Sequence, residues 1–402
     1  MRGSAKALPL FFFMRRRHIL PLCALLLATA GAGFAETDTV SVASPDGQLV
    51  LRLFIVSPKD SILVRLGYSV TLHGKVLMNA SLMGFTLHDV DVLLGETVGL
   101  VTSRTESVDE TYTVPASGRS IRNHYNSLIA QYIQNGSLGR RTTIEARAYD
   151  DGIAFRYYIP RTSTVEDLQI EEELTDFHFA QDGDAYASVL GGYGSGKSEY
   201  TRMKLTEIKR TSLIGLPFLV EQPGVGWVAI TEAQVENFPG MYVFHPESTT
   251  MRTTLSPRLD DQALAMHGVT PAQSPWRVLM VASEPRKLLN SEIVTNLNPP
   301  SAIADTSWIK PPKEFVSIGA TAALEEQFAR LEKTGVTGVK VDLMNRADQQ
   351  TIDLYRRAAK AAAEHHLMIE FQNGPPPEGI ERTWPNVVPQ EDTAFRRLLE
   401  TL

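Results

Sequence analysis

The chain holds a single cysteine, Cys23, within 402 residues, and that cysteine sits in an apolar stretch near the start. A mature chain cut beyond it would carry neither thiol nor disulfide, so a metal site would have to use oxygen or imidazole ligands. Membrane-spanning length is also missing. The longest apolar run, ILPLCALLLATAGAGFA, falls short of the ~18 residues a spanning helix needs. Internal repeats and low-complexity tracts are absent. Positive charge is not in excess: 39 Lys and Arg stand against 46 Asp and Glu, a net charge of -7, which weighs against a nucleic-acid partner. Charged residues make up 21% and hydrophobic residues 43%, a globular balance rather than a disordered one.

What is present begins with a targeting segment. Arg15, Arg16, Arg17 and His18 precede the apolar run, and Gly33 and Ala35 supply small residues where a signal peptidase cuts. Residues 1–35 therefore read as a signal peptide with cleavage before Glu36, and Met14 is an alternative start. Leu22 before Cys23 argues against a lipoprotein site. The expected location is the periplasm or the exterior, with no membrane contact after cleavage.

Residues 36–300 read as β structure. LVLRLFIV follows the turn Pro45-Asp46-Gly47, and YSVTL and KVLM flank His73-Gly74. In TIEARAYDDGIAFRYYIP, Ile144, Ala146 and Ala148 alternate with polar residues up to Asp151-Gly152. Ile153, Phe155 and Tyr157 continue beyond, which predicts a hairpin. Short strands at SLIGLPFLVE, GWVAITEA, MYVF, TTLSP and WRVLMVA complete a β-sandwich pattern. Residues 301–314 form a linker stiffened by Pro311 and Pro312, just after Pro299 and Pro300.

From residue 315 to 402 the period changes. Leu324, Phe328 and Leu331 share a helical face, and Gly335 is placed to end that helix. The strand VTGVKVDLM, an N-cap at Asp348, the helix QQTIDLYRRAAKAAAEHH and the strand LMIEFQ then form a parallel βαβ unit. Beyond Gly374-Pro375-Pro376-Pro377 the sequence is loop-like and closes on the short helical RRLLETL. At most two parallel strands are expected. About 100 residues follow Asp305, whereas a closed (β/α)₈ barrel takes ~250.

Two patterns carry candidate chemistry. GGYGSGKS, residues 191–198, matches the phosphate-loop pattern through Lys197, but no parallel βα unit follows it. It reads as a flexible Gly/Ser loop between strands, with nucleotide binding through Lys197 as the other reading. Asp342 ends an apolar strand in the position where barrel chemistry sits, and is either a candidate catalytic carboxylate or a cap or ion-pair partner. Glu370 and Glu391 lie on the next strand and in the loop beyond, and carboxylates from neighbouring strands can bind Ca²⁺ or share proton transfer. His365 and His366 suit a helix C-terminus better than a metal.

These segments resemble glycoside hydrolase family 97, exported bacterial α-glucosidases and α-galactosidases. The likeness runs through IRNHYNSL, IEARAYDDGIAFRY, AITEAQVENFPGMY, LNPPSAIADTSWIKP, GVKVDLMNRADQQ and AAEHHLMIEF in the family's order. It implies a mutarotase-like β-sandwich followed by a (β/α)₈ barrel, here an incomplete α/β fragment, and an oligosaccharide or α-glycoside as partner. It implies the retaining branch, because GVKVDLM carries the nucleophile at Asp342 and Asn373 stands where the inverting branch has a Glu. It implies a Ca²⁺ site drawing on Glu199 and Glu391. The acid/base Glu of the retaining branch falls at Arg397, so no acid/base is expected, and activity is expected to be impaired. A carbohydrate-binding sandwich without turnover is the competing expectation.

Overall fold

The computed structural model describes residues 34–58, 64–88, 93–95, 97–115, 117–134, 139–196, 198–319, 323–389 and 391–402. The expected leader and Lys197 therefore lie outside the described residues, save that Phe34 and Ala35 already pair with Pro58 and Ser57 in the first strand.

Alternating burial builds the sandwich. The first sheet is an antiparallel meander of four strands from Phe34–Ala43 to Lys75–Leu82. Its inward residues Leu51, Leu53, Ile55, Tyr68 and Val70 share one core with Ile144, Ala146, Phe155, Phe218, Val228 and Leu279 of the 13-stranded sheet. Each fully buried aliphatic or aromatic side chain here stabilises by roughly 1.5–3 kcal/mol.

The predicted hairpin forms between Arg141–Tyr149 and Gly152–Ile159, with one shift. Tyr149 pairs directly with Gly152, so the turn is Asp150-Asp151 and not Asp151-Gly152. Gly152 belongs in the strand because a Cβ there would meet the Leu279 carbonyl oxygen at 2.7 Å.

The centre of the sandwich carries a buried ionic chain. Arg277 reaches both Glu173, at 2.5 Å, and Glu232, at 2.9 Å. The Thr175 hydroxyl donates to Glu173, and Tyr157 Oη lies 2.7 Å from Thr175 Oγ1. The Met241 amide donates to Glu232. Burial outweighs the pull of Arg277 on Glu232 and pushes its carboxyl up to about 7.

The other face of the large sheet is covered as well. Trp276, Val278, Leu219 and Ala154 pack under helix α1 (Ile293–Asn296) and, from the far end of the chain, Phe395 and Leu399. The last helix thus folds back onto the sandwich, where Phe395 stacks at 5.8 Å against Tyr200.

Three strands form a separate parallel sheet in the order Val316–Gly319, Gly338–Asp342, Met368–Gln372. This corrects the expectation of at most two: the extra strand has four residues and is only half-buried at best, so it lacks an apolar signature. Helix α2 (Leu324–Lys333) buries Leu324 and Phe328, and the φ of Gly335 is +80°, which suits the residue following a helix. Helix α3 (Gln349–Glu364) starts where Asp348 accepts from the Thr351 amide at 3.0 Å. Its Tyr355, Ala358, Ala359 and Ala362 form one buried stripe, small enough to lie close to Val339, Val341 and Ile369. Helix α4 (Thr393–Thr401) is capped by Asp392.

This unit is bolted to the sandwich through main chain. Glu378 Oε2 accepts from the Val235 amide at 2.9 Å and from Arg356 at 2.7 Å. Arg356 Nε donates to the Val235 carbonyl. The Gly240 amide donates to the Ala347 carbonyl at 2.7 Å, and a Cβ on Gly240 would strike the Ala347 methyl. The face of the parallel sheet where its strands end is thereby held against sandwich loops.

Candidate active site

Strand alternation decides where Asp342 lies. Val339 and Val341 point into the core, Lys340 pairs with Glu370 at 2.9 Å on the other side, and Asp342 ends the strand exposed. In register it stands between Gly319 and Gln372 at the carboxyl edge of the sheet. Its Oδ1 accepts from the Met344 amide at 2.8 Å and from Asn373 Nδ2 at 3.1 Å. Its Oδ2 accepts no hydrogen bond among the described residues. The chain then turns sharply, with Met344 and Asn345 at φ +55° and +58°, before the Asp348 cap. Asn373, after the neighbouring strand, also has positive φ, at +50°.

A cavity of about 600 Å³ opens between this edge and the sandwich. Tyr242, Asn345, Asn373, Glu370, Glu391 and Asp392 are among its walls. That volume lies in the range of ordinary small-ligand sites. Asp342 does not itself line it; Asn373, which holds Asp342, does. A second cavity of about 590 Å³ adjoins it, and Arg346 lines both.

The acids expected to hold Ca²⁺ do not come together as ligands. Arg396 Nη1 lies 2.9 Å from both carboxylate oxygens of Glu391. Arg397 Nη1 approaches Glu199 Oε1 at 3.6 Å, and both acids are largely exposed. Helix α4 thus places a guanidinium on each of them. No group of three or more His, Cys, Asp or Glu side chains among the described residues converges to hold a metal ion. A Ca²⁺ ion needs six to eight oxygens, and among the described residues Glu199 and Glu391, each facing a guanidinium of α4, do not supply such a set. His365 instead pairs with Glu332, and His366 stacks on Trp308 at 5.1 Å.

The Gly-rich loop leads from the strand Asp184–Leu190 to the strand Thr201–Lys204, with no helix after it. Its described residues lead into a strand and not into the helix N-terminus that a phosphate loop uses. It packs instead on the turn after Asp342: a Cβ on Gly196 would lie 3.7 Å from Asn345. Two residues of this region escaped the sequence reading. Tyr193 had one legible signal, an aromatic between glycines in a polar loop. Arg346 had none, since only the fold makes it a wall shared by two cavities.

The family model for the glycosyl-hydrolase 97 N-terminal domain matches residues 42–300, and that for glycoside hydrolase 97 matches residues 313–393. The chain belongs to glycoside hydrolase family 97. It is similar to a retaining alpha-galactosidase of Bacteroides thetaiotaomicron, 25% identical over 482 residues, the match covering 93% of this chain and 70% of that protein. A probable retaining alpha-galactosidase of Streptomyces bingchenggensis is 23% identical, with 92% of this chain and 67% of that one covered. Among solved structures, a family 97 enzyme from Pseudoalteromonas sp. strain K8 in complex with acarbose matches with a TM-score of 0.76 at 18% identity, covering 86% of this chain and 68% of that one. That likeness carries the fold, including the N-terminal β-sandwich.

Proposed function

We propose that this chain is a retaining glycoside hydrolase of the α-galactosidase or α-glucosidase type that keeps its nucleophile, Asp342, and lacks its proton donor. The observation that carries the reading is the Asp342 carboxylate at the carboxyl edge of the parallel sheet, with Oδ1 held by Asn373 and Oδ2 without a hydrogen bond among the described residues. In such a reaction Oδ2 attacks the anomeric carbon, and the bond from that carbon to the leaving oxygen breaks. A second carboxyl about 5 Å away would protonate the leaving oxygen and later activate water. Arg397 stands in the sequence where the resemblance puts that carboxyl, and a guanidinium cannot give up a proton at neutral pH. Each proton transfer is worth ~10²–10⁴ in rate, so ordinary glycosides should turn over slowly or not at all.

A barrel shortened within the aligned region is part of the same proposal. The alignment to the Bacteroides relative spans 482 residues against a chain of 402, so the relative carries stretches with no counterpart here. Among the described residues the parallel sheet has three strands. Export to the periplasm or the exterior is part of the proposal and rests on the leader sequence alone. No step of it runs through a cation.

The test is hydrolysis of an aryl α-galactoside or α-glucoside whose leaving group needs no proton. Slow turnover abolished by Asp342→Asn supports the proposal. Turnover unchanged by Asp342→Asn refutes it. Sugar binding without any turnover favours the second reading, a non-catalytic carbohydrate-binding protein, which the pairing of Arg397 with Glu199 also suits.

A further inference from the structure

The loop that mimics a phosphate-binding motif puts its one aromatic ring into the second cavity. Tyr193 sits between Gly192 and Gly194, whose φ of +81° no ordinary side chain adopts cheaply. The ring does not swing freely. It meets the Tyr242 ring edge-on at 5.2 Å, and its hydroxyl lies 2.8 Å from Thr254 Oγ1. Tyr193 nevertheless remains 42% exposed. A ring fixed by a neighbouring ring and at its hydroxyl, yet partly exposed at a cavity, is preorganised to be stacked upon.

Opposite polar groups complete the cavity, which is about 590 Å³ and is also lined by Ser256, Gln262, Arg346 and Asp348. Arg346 is fixed through Nε, which donates to Asp348 Oδ2 at 3.0 Å. Asp348 is fixed in turn as the cap of α3, accepting from the Thr351 amide and hydroxyl. The two terminal nitrogens of Arg346 donate to nothing among the described residues. A guanidinium anchored at one nitrogen and free at two presents a fork matched to paired oxygen acceptors. Asp348 already balances its charge, which favours a neutral polyol over a phosphate or carboxylate. Because Arg346 lines both cavities, a ligand unit beside Tyr193 would be a neighbour of one in the main cavity.

We infer that Tyr193 and Arg346 form a second sugar subsite, in which a further pyranose unit of an oligosaccharide stacks on the Tyr193 ring and is held by Arg346 through adjacent hydroxyls. This rests on the proposed reading of the chain as a glycoside hydrolase, with a sugar in the main cavity beside Asn373. The assignment makes the chain a binder of oligosaccharides in preference to single sugars.

The test is calorimetric binding of galactose, melibiose and raffinose, and in parallel glucose, maltose and maltotriose, to the full chain and to Tyr193→Ala and Tyr193→Phe. The wild type should bind the trisaccharide of one series about tenfold more tightly than its monosaccharide. Tyr193→Ala should bring that ratio close to one with monosaccharide affinity kept, and Tyr193→Phe, which keeps the ring, should preserve most of it. A length ratio unchanged in Tyr193→Ala, or a ratio of one in the wild type, overturns the subsite and leaves the main site standing. No binding of any sugar in either series overturns the main site and the subsite together.

Discussion

Asn373 Nδ2 donates to Asp342 Oδ1 at 3.1 Å and so holds one oxygen of the carboxylate proposed as the nucleophile. The contact joins the ends of two neighbouring parallel strands. It leaves Oδ2 as the carboxylate oxygen without a hydrogen bond among the described residues. Asn373→Ala should therefore lower kcat/KM on an activated aryl glycoside about tenfold, the size of one hydrogen bond to a charged acceptor. The melting temperature should stay within a degree or two, because both residues are exposed. Unchanged kinetics would show that the contact has no part in positioning.

Arg277 should be indispensable to the sandwich. It is fully buried between Glu173 and Glu232, which are buried too. Arg277→Leu strands Glu173 and Glu232 without a cation and should cost about 3–5 kcal/mol in urea unfolding. A loss below about 1 kcal/mol would contradict the account of that core.

Stability should depend on pH through Glu232. Its carboxyl moves from 4.5 up to about 7 on burial, so the folded state holds a proton that the unfolded state has released. Stability then falls as pH rises from about 4.5 to about 7, and is flat with respect to this group outside that window. Glu378 and Glu381 are shifted upward by burial as well and act with the same sign. Melting temperatures across pH 4.5–7.5 should show the decline, and Glu232→Gln should make it shallower, leaving the part due to Glu378 and Glu381. An equal slope in both proteins would rule out Glu232 as its source.

The docking of the parallel sheet should hinge on Glu378. Its side chain is buried and joins Arg356 to the Val235 amide. Glu378→Ala leaves Arg356 uncompensated at the junction. Limited proteolysis should then cut within residues 301–314 much faster than in the wild type. No change in cutting would place the strength of the junction elsewhere, in contacts such as Gly240 to Ala347.

Much of this was legible in the chain because two periods differ so plainly. Ile144, Ala146 and Ala148 announce a strand, and Leu324, Phe328 and Leu331 a helix, with the Asp348 cap opening the helix after it. The long hairpin Val98–Thr113 with Ser120–Gln134 was not legible. Its first strand is mostly exposed, so TSRTESVDETYT carries no apolar alternation. The final helix read as a scrap because its buried residues, Phe395 and Leu399, meet a sheet some 100 to 250 residues earlier in the chain, a relationship that local pattern does not encode. At the site, Asp342 was readable from its strand, whereas the fate of Glu199 and Glu391 turned on where α4 carries Arg396 and Arg397.

Covalent trapping addresses the nucleophile itself. An activated 2-deoxy-2,2-difluoro α-galactoside or α-glucoside carries a leaving group that departs unprotonated, and its fluorines slow release of any glycosyl-enzyme formed. Intact-mass and peptide mass spectrometry should find one difluorosugar on the peptide containing Asp342 in the wild type and none in Asp342→Asn. An adduct on another residue, or no adduct with either sugar despite measurable turnover, would contradict Asp342 as the nucleophile.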